Sequence, residues 1–188
     1  EELAGRYDLS SLAAPLRACR DLMARGRANV AVVGRFKAGK STLVNLLVGR
    51  PILPVGVLPV TTAVTYVRYG PAERAEVRFA DGRTGECPMS EAAGLVSERD
   101  NPGNGRGVAA VVMELPQLAC FRGLQLVDTP GLGSTLSHNS EATLEWLPHA
   151  TCALVAVSVD EPLSEHDVAL LRLARRHAPR VALALTKV

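Results

Sequence analysis

Gly34-Arg35-Phe36-Lys37-Ala38-Gly39-Lys40-Ser41 is the stretch on which the reading of this chain turns. Its eight residues match G-x-x-x-x-G-K-[ST] in full. They stand between a short apolar run, Asn29 to Val33, and a segment whose Leu43, Leu46 and Leu47 suit a helix. A strand, a glycine-rich loop and a helix form the context this pattern requires. Gly34 and Gly39 let the backbone curl so that its amide N–H groups face an anion. The positive end of the following helix adds to that field. Lys40 supplies a cation for β- and γ-phosphate oxygens, and the Ser41 hydroxyl supplies a ligand for Mg²⁺. Residues 34–42, including Arg35, Phe36, Lys37, Ala38 and Thr42, are therefore expected to cradle the phosphates of a nucleoside triphosphate.

Downstream, Asp128-Thr129-Pro130-Gly131 follows the apolar run Leu124 to Val127. A carboxylate at the tip of a strand beside the phosphate loop is placed to hold Mg²⁺, and Gly131 leaves a backbone N–H free for the γ-phosphate. Between the two motifs lies Leu53 to Thr62, where a GTPase needs a mobile threonine that covers Mg²⁺; Thr61 and Thr62 both qualify. The last apolar run ends in Thr186-Lys187. This is the beginning of a T/N-K-x-D base-recognition motif, whose aspartate would fall just after Val188. Guanine is thus indicated by half a motif.

The rest of the chain alternates helices and apolar strands. Ala63 to Tyr69, Val108 to Leu115, Leu124 to Val127, Ala153 to Val159 and Val181 to Leu185 read as strands, the last two buried. Glu76 to Phe79 followed by Asp81-Gly82 predicts a hairpin. Ser90 is expected to cap a short helix through Leu95. Ser164 is expected to cap another, with Asp167 completing a capping box and Leu163 and Val168 a hydrophobic staple. Leu12, Leu16, Cys19 and Met23 recur at helical spacing over Ser11 to Arg25. That helix either docks on the domain or belongs to a bundle. The expected fold is α/β: a P-loop domain of the GTPase type, with a mainly parallel central sheet and helices on both faces. An insertion separates the two phosphate motifs, since Asp128 lies 88 positions after Lys40 and a minimal βαβ unit needs only ~30 residues. The expected division is an N-terminal helix over residues 1–27 and the nucleotide domain over 28–188.

Composition narrows the function classes. The 188 residues carry a net charge of +2 and no dense basic block, which argues against nucleic-acid binding. Arg172, Arg175, Arg176 and Arg180 read as a solvated helix face. The four cysteines are scattered without a C-x-x-C pair, which argues against a zinc or disulfide framework and suits a reducing cytosol. No apolar stretch approaches the ~20 residues of a membrane span. The expected location is cytoplasmic, with any membrane contact peripheral at the inner face or made outside this segment. The first residue is Glu1 and the last is Val188, one past Lys187, which predicts a piece of a longer protein.

Together, Gly34 to Thr42, Ile52-Leu-Pro-Val-Gly-Val-Leu-Pro-Val-Thr-Thr62, Asp128-Thr-Pro-Gly-Leu-Gly133 and Leu185-Thr-Lys187 resemble the GTPase domain of the dynamin superfamily, bacterial dynamin-like proteins above all. The resemblance implies a hydrolase acting on GTP with Mg²⁺. It also implies GTP and GDP as ligands, a homodimer or heterodimer formed through the GTPase face, and membrane lipid reached through regions outside this chain. Its Leu-Pro-x-Gly signature places Thr61 in the role of metal-sensing threonine, beside Ser41 and Asp128 as the metal set. Leu132 stands where Ras-like proteins carry a water-orienting glutamine, so catalysis needs another group. Lys37 fills the slot in which dynamins carry a serine and guanylate-binding proteins and atlastins an arginine finger. It reads either as a catalytic cation, alongside Lys40 and Thr61, or as a solvent-facing side chain. Two other readings are a ribosome-assembly-type GTPase and a non-hydrolysing nucleotide-dependent scaffold. The first would need a basic surface and a shorter insertion, and the intact Lys40, Ser41 and Asp128 set argues against the second.

Overall fold

The computed structural model describes residues 26–55, 63–129 and 146–188. One eight-stranded sheet organises them, in the order β4-β3-β5-β2-β6-β1-β7-β8. The strands are β1 (Ala28–Gly34), β2 (Val64–Tyr69), β3 (Arg74–Phe79), β4 (Thr84–Cys87), β5 (Val108–Leu115), β6 (Leu124–Asp128), β7 (Cys152–Ser158) and β8 (Arg180–Thr186). β6, β1, β7 and β8 run parallel. β2 pairs antiparallel with β6 and parallel with β5, and β3 is antiparallel to both β5 and β4. The mainly parallel sheet is thus a parallel half joined to a mixed wing. That wing, with the β3–β4 hairpin turned at Gly82 (φ 87°), makes up the insertion between the phosphate motifs.

Period-2 alternation sends the residues of β1 to opposite faces. Val32 shares a core cluster with Val44 and Val48 of helix α1 (Lys40–Val48), and the same cluster extends to Ala92 and Leu95 of helix α2 (Met89–Leu95), which packs on β3 and β5. Ala31 and Val33 meet Leu170 and Ala174 of helix α3 (Glu165–His177), with Trp146 and Leu147 on the same side. Helices therefore cover both faces.

The cap of α3 is a full capping box. Ser164 Oγ accepts from the Asp167 amide, and Asp167 Oδ2 accepts from the Ser164 amide at 2.9 Å and from its hydroxyl at 2.6 Å. Such a cap contributes about 1 kcal/mol. Arg175, Arg176 and His177 complement the negative helix end; Arg172, Arg175 and Arg176 are exposed, as expected of a solvated helix face, while Arg180, also exposed, begins β8 instead.

Three local expectations are corrected. Pro88, not Ser90, occupies the N-cap of α2, because Pro fixes φ at −57° and lets the helix begin two residues earlier. Leu163 is 57% exposed, so the start of α3 is held by hydrogen bonds rather than by an apolar staple. β8 is an edge strand rather than a buried one: Leu183 and Leu185 are 54% and 61% exposed, and within the described residues β7 is its one strand neighbour. The expected helix over Ser11 to Arg25 lies outside the described residues. Among the described residues no helix is long and apolar enough to cross a membrane. Cys87, Cys120 and Cys152 are free thiols, and burial raises the Cys152 thiol above its ordinary range.

Candidate nucleotide site

Four strand ends converge. Register pairs Val32 with Asp128, Gly34 with Ala156, and Ser158 with Thr186. The phosphate loop, Asp128 and Thr186-Lys187 therefore meet at the carboxyl edge of the parallel half, where chains of this architecture bind ligands. Gly34 is there because β7 is close: a Cβ would lie 2.7 Å from the Ala156 carbonyl oxygen. Gly39 adopts φ 80° and forms the N-cap of α1 without any side-chain cap. The first amides of α1 are thus left for an anion rather than for a Ser or Asp oxygen.

Lys40 is only 8% exposed. Its Nζ donates to the Arg35 carbonyl at 3.1 Å. Burial pushes its ammonium below the ordinary lysine value, and the nearby Asp128 carboxylate opposes that shift. Ser41 Oγ donates to Asp128 Oδ2 at 2.8 Å, and Asp128 is fully buried. Two hard oxygen donors side by side at a helix N-terminus suit Mg²⁺, which takes one or two protein oxygens and completes its shell with phosphate and water. Among the described residues no group of three or more His, Cys, Asp or Glu gathers into a metal cage. Gly131 and Thr61, with Thr62 and Leu132, lie outside the described residues.

At the other end of the cradle, the Thr186 hydroxyl lies 2.7 Å from the Ala38 carbonyl oxygen and 3.2 Å from that of Val157. Lys187, in a left-handed conformation at φ 59°, pairs with Asp160 at 2.9 Å. That contact is the main reason the Asp160 carboxyl is held below its usual pKa. An open cleft runs between the loop and this strand end, bordered by Phe36, Lys37, Ser158 and Lys187. Lys37 itself has φ 64°, uncommon for a residue with a Cβ and typical of loops held by their surroundings. Its exposed ammonium sits 5.5 Å from the Phe36 ring centroid, a cation–π contact at the rim of the cradle. Thr42 is exposed on α1.

Two positioning roles escaped the sequence reading, which named Arg35 only as a phosphate-cradling residue and did not name Asn45. The Arg35 guanidinium reaches away from the cradle, to Ser164 Oγ at 3.2 Å, Asp167 Oδ2 at 3.3 Å and Glu161 Oε2 at 3.2 Å. It anchors the phosphate loop to the cap of α3. Asn45, on α1, clamps the start of the Leu53 to Thr62 loop: its Oδ1 accepts from the Ile52 and Leu53 amides at 3.0 and 2.8 Å, and its Nδ2 donates to the Leu53 carbonyl at 2.9 Å. A polar residue amid the leucines of α1 was the only sequence signal for Asn45. Arg35 offered none, because its partners lie 129 and 132 positions away.

The sequence profile of the Dynamin family matches residues 30–188. The chain is 33% identical over 156 residues to the "Uncharacterized protein in xynA 3′region" of Caldicellulosiruptor sp. (strain Rt8B.4), covering 83% of this chain and 39% of that protein. It is 29% identical over 141 residues to the "Bacterial dynamin-like protein" of Nostoc punctiforme, covering 70% and 20%. It is 32% identical over 132 residues to "Dynamin-like protein 2" of Campylobacter jejuni, covering 70% and 21%. The chain thus spans well under half the length of these relatives. A solved structure described as "an oligomerised bacterial dynamin pair" superposes with a TM-score of 0.65 at 24% identity, over 85% of this chain and 25% of that one, which supports the same fold. The phosphate cradle, the inserted mixed wing and the profile match agree, and the chain belongs to the dynamin family as a GTPase domain of α/β, P-loop type.

Proposed function

We propose that this chain binds GTP with Mg²⁺, hydrolyses it, and couples nucleotide-driven dimerisation through the GTPase face to membrane remodelling or tethering. One observation carries the reading: Ser41 and Asp128 touch at 2.8 Å beside the buried Lys40, at an uncapped helix N-terminus. The amides of residues 34–42 bind the phosphates, and Lys40 leaves the Arg35 carbonyl for β- and γ-phosphate oxygens. Ser41, Asp128 and Thr61 would hold Mg²⁺, which when bound would offset charge that develops on the phosphates in the transition state. Thr186 and Lys187 border the base, and Gly131 offers an amide to the γ-phosphate. Lys37 is the cation that completes catalysis, from the rim where Phe36 now holds it. The membrane part of the reading leans on a structural neighbour described as one of a pair in "the long-range sensing and tethering of membranes". Lipid contact falls to parts of the protein outside this chain, and the domain itself acts at the cytoplasmic face.

Steady-state phosphate release at rising protein concentration tests the catalytic claim. Lys37→Ala is expected to keep GTP affinity and to lose most of the concentration-dependent rate. Positive fingers supply ~10³–10⁵-fold when they are arginines, and a lysine, lacking the planar fork, less. The wild-type rate is expected to be similar in Na⁺, K⁺ and large organic-cation salts. Strong activation by K⁺ or Na⁺ would sink the role of Lys37; absence of GTP turnover at any concentration would sink the enzymatic reading.

A further inference from the structure

Thr65 is fully buried in β2, and its hydroxyl has no hydrogen-bond partner in the structure. Buried hydroxyls are nearly always paired, and an unpaired one costs stability. Arg50 Nε and Glu98 Oε2 are also buried without partners, but their side chains are engaged through other atoms, to Glu73 and to the Gly103 amide. The Thr65 hydroxyl has no such second atom.

Its position gives the reason. β2 and β6 pair antiparallel, and Thr65 stands directly opposite Asp128. Opposite residues of an antiparallel pair project from the same face with Cβ atoms about 4.5–5.5 Å apart. That face is the α1 face: Val67, two residues on in β2, packs with Val44 and Leu126. It is also the face from which Asp128 receives the Ser41 hydroxyl. On its other side Thr65 is paired with Val111, which offers no polar atom. A hydroxyl that is both donor and acceptor thus lies buried beside the carboxylate assigned to the metal, on the strand that leads out of the Leu53 to Thr62 loop.

We infer that Thr65 is a positioning residue of the Mg²⁺ site: its hydroxyl hydrogen-bonds the carboxylate of Asp128 and the water that this carboxylate holds, and so orients both toward the ion. The inference rests on the nucleotide reading above and adds a residue to it. Thr65 does not touch the metal; it fixes the group that does. Outer partners of this kind typically govern metal affinity by ~10–100-fold.

The test uses the chain loaded with a fluorescent GDP analogue. The Mg²⁺ concentration that half-maximally slows nucleotide dissociation is measured for wild type, Thr65→Val and Thr65→Ser, together with the thermal midpoint without nucleotide in EDTA. Valine keeps the shape and removes the hydroxyl; serine keeps the hydroxyl. Thr65→Val is expected to need about tenfold more Mg²⁺, at the lower end of that range, with an unchanged or higher EDTA midpoint. Thr65→Ser is expected to stay close to the wild-type Mg²⁺ requirement even if its midpoint falls. A valine variant with wild-type Mg²⁺ dependence would overturn the inference. So would equal weakening of Mg²⁺ dependence by valine and serine, which would point to packing instead. Wild-type nucleotide retention indifferent to Mg²⁺ would overturn the nucleotide reading itself.

Discussion

The two ends of the same strands are both polar and both buried, yet they are built on opposite terms. At the amino end of β1 and β6 the polar groups satisfy one another. Arg68 donates to Glu114 Oε1 at 2.7 and 2.9 Å and to Gln125 Oε1 at 3.4 Å; Gln125 donates to Asn29 Oδ1 at 3.0 Å; Asn29 donates to the His149 carbonyl at 3.1 Å. The chain of contacts crosses β5, β2, β6 and β1 and closes on the protein. At the carboxyl end, Lys40 rests on a backbone carbonyl, α1 begins without a side-chain cap, and the Thr65 hydroxyl goes unmatched. A closed network yields rigidity. An open one stores donors for something that arrives later, at some cost in stability.

That contrast predicts which property each substitution moves. Lys40→Ala is expected to weaken GTP binding by about 100-fold or more, since it deletes a charge-assisted contact. Its thermal midpoint without nucleotide should hold or rise, because burial already disfavours the ammonium. Titration of a fluorescent GTP analogue together with a melting curve checks both halves.

Gln125→Leu should do the reverse. It opens the closed network beneath Asn29 and Arg68, costing about 1–3 kcal/mol of stability, while GTP affinity stays near wild type. Equilibrium urea unfolding set beside the same titration decides it; a large affinity loss would mean that the two ends are not separable.

Asp167→Asn addresses the anchor between the two halves of the site. Burial alone would raise the Asp167 pKa, but the Ser164 hydroxyl and amide and the Arg35 guanidinium outweigh it and leave the carboxyl below its ordinary 3.8. A depressed carboxylate contributes stability above the unfolded value and loses it as pH falls through the folded one. The variant is therefore expected to be less stable by about 1 kcal/mol above pH 3.8, with the gap closing as the solution is acidified further. Thermal midpoints across pH 2.5 to 7 (a range of about 4 to 5 units,) would show a constant gap if the charge were irrelevant.

The smallest effect belongs to the wing. Arg78 holds Glu76 at 2.8 Å on the exposed face of β3, and that hydrogen bond is the main reason the Glu76 carboxyl is lowered. Glu76→Gln should change stability by less than about 1 kcal/mol and leave nucleotide binding untouched, as read by the same unfolding and titration curves.

What could be read in the residues themselves was whatever is local. The phosphate loop carries its own glycines, lysine and serine in one run. The strands of the sheet announce themselves as apolar runs, and the capping box of α3 needs only four consecutive residues. What escaped depends on register and distance. The clamp on Arg35 joins residues more than a hundred positions apart. The opposition of Thr65 and Asp128 exists only once β2 is known to run antiparallel to β6. β8 misled for a different reason: Val181 to Leu185 is apolar on both sides, which ordinarily marks a strand covered on both faces, whereas Leu183 and Leu185 are more than half exposed.

The contact between Thr186 and Ala38 has a consequence for how the molecule comes into being. It ties the phosphate loop to a strand 148 positions later. Ribosomes add ~5–20 residues per second, so Ala38 waits on the order of 7–30 s for the hydroxyl that closes its loop. Contacts of such long sequence separation form late, after the entropy of the intervening chain has been overcome. During that interval the nascent chain already displays its glycine-rich turn and its lysine but lacks the strut behind them. Retention of nucleotide by a growing chain is therefore expected only once β8 has left the ribosome and docked.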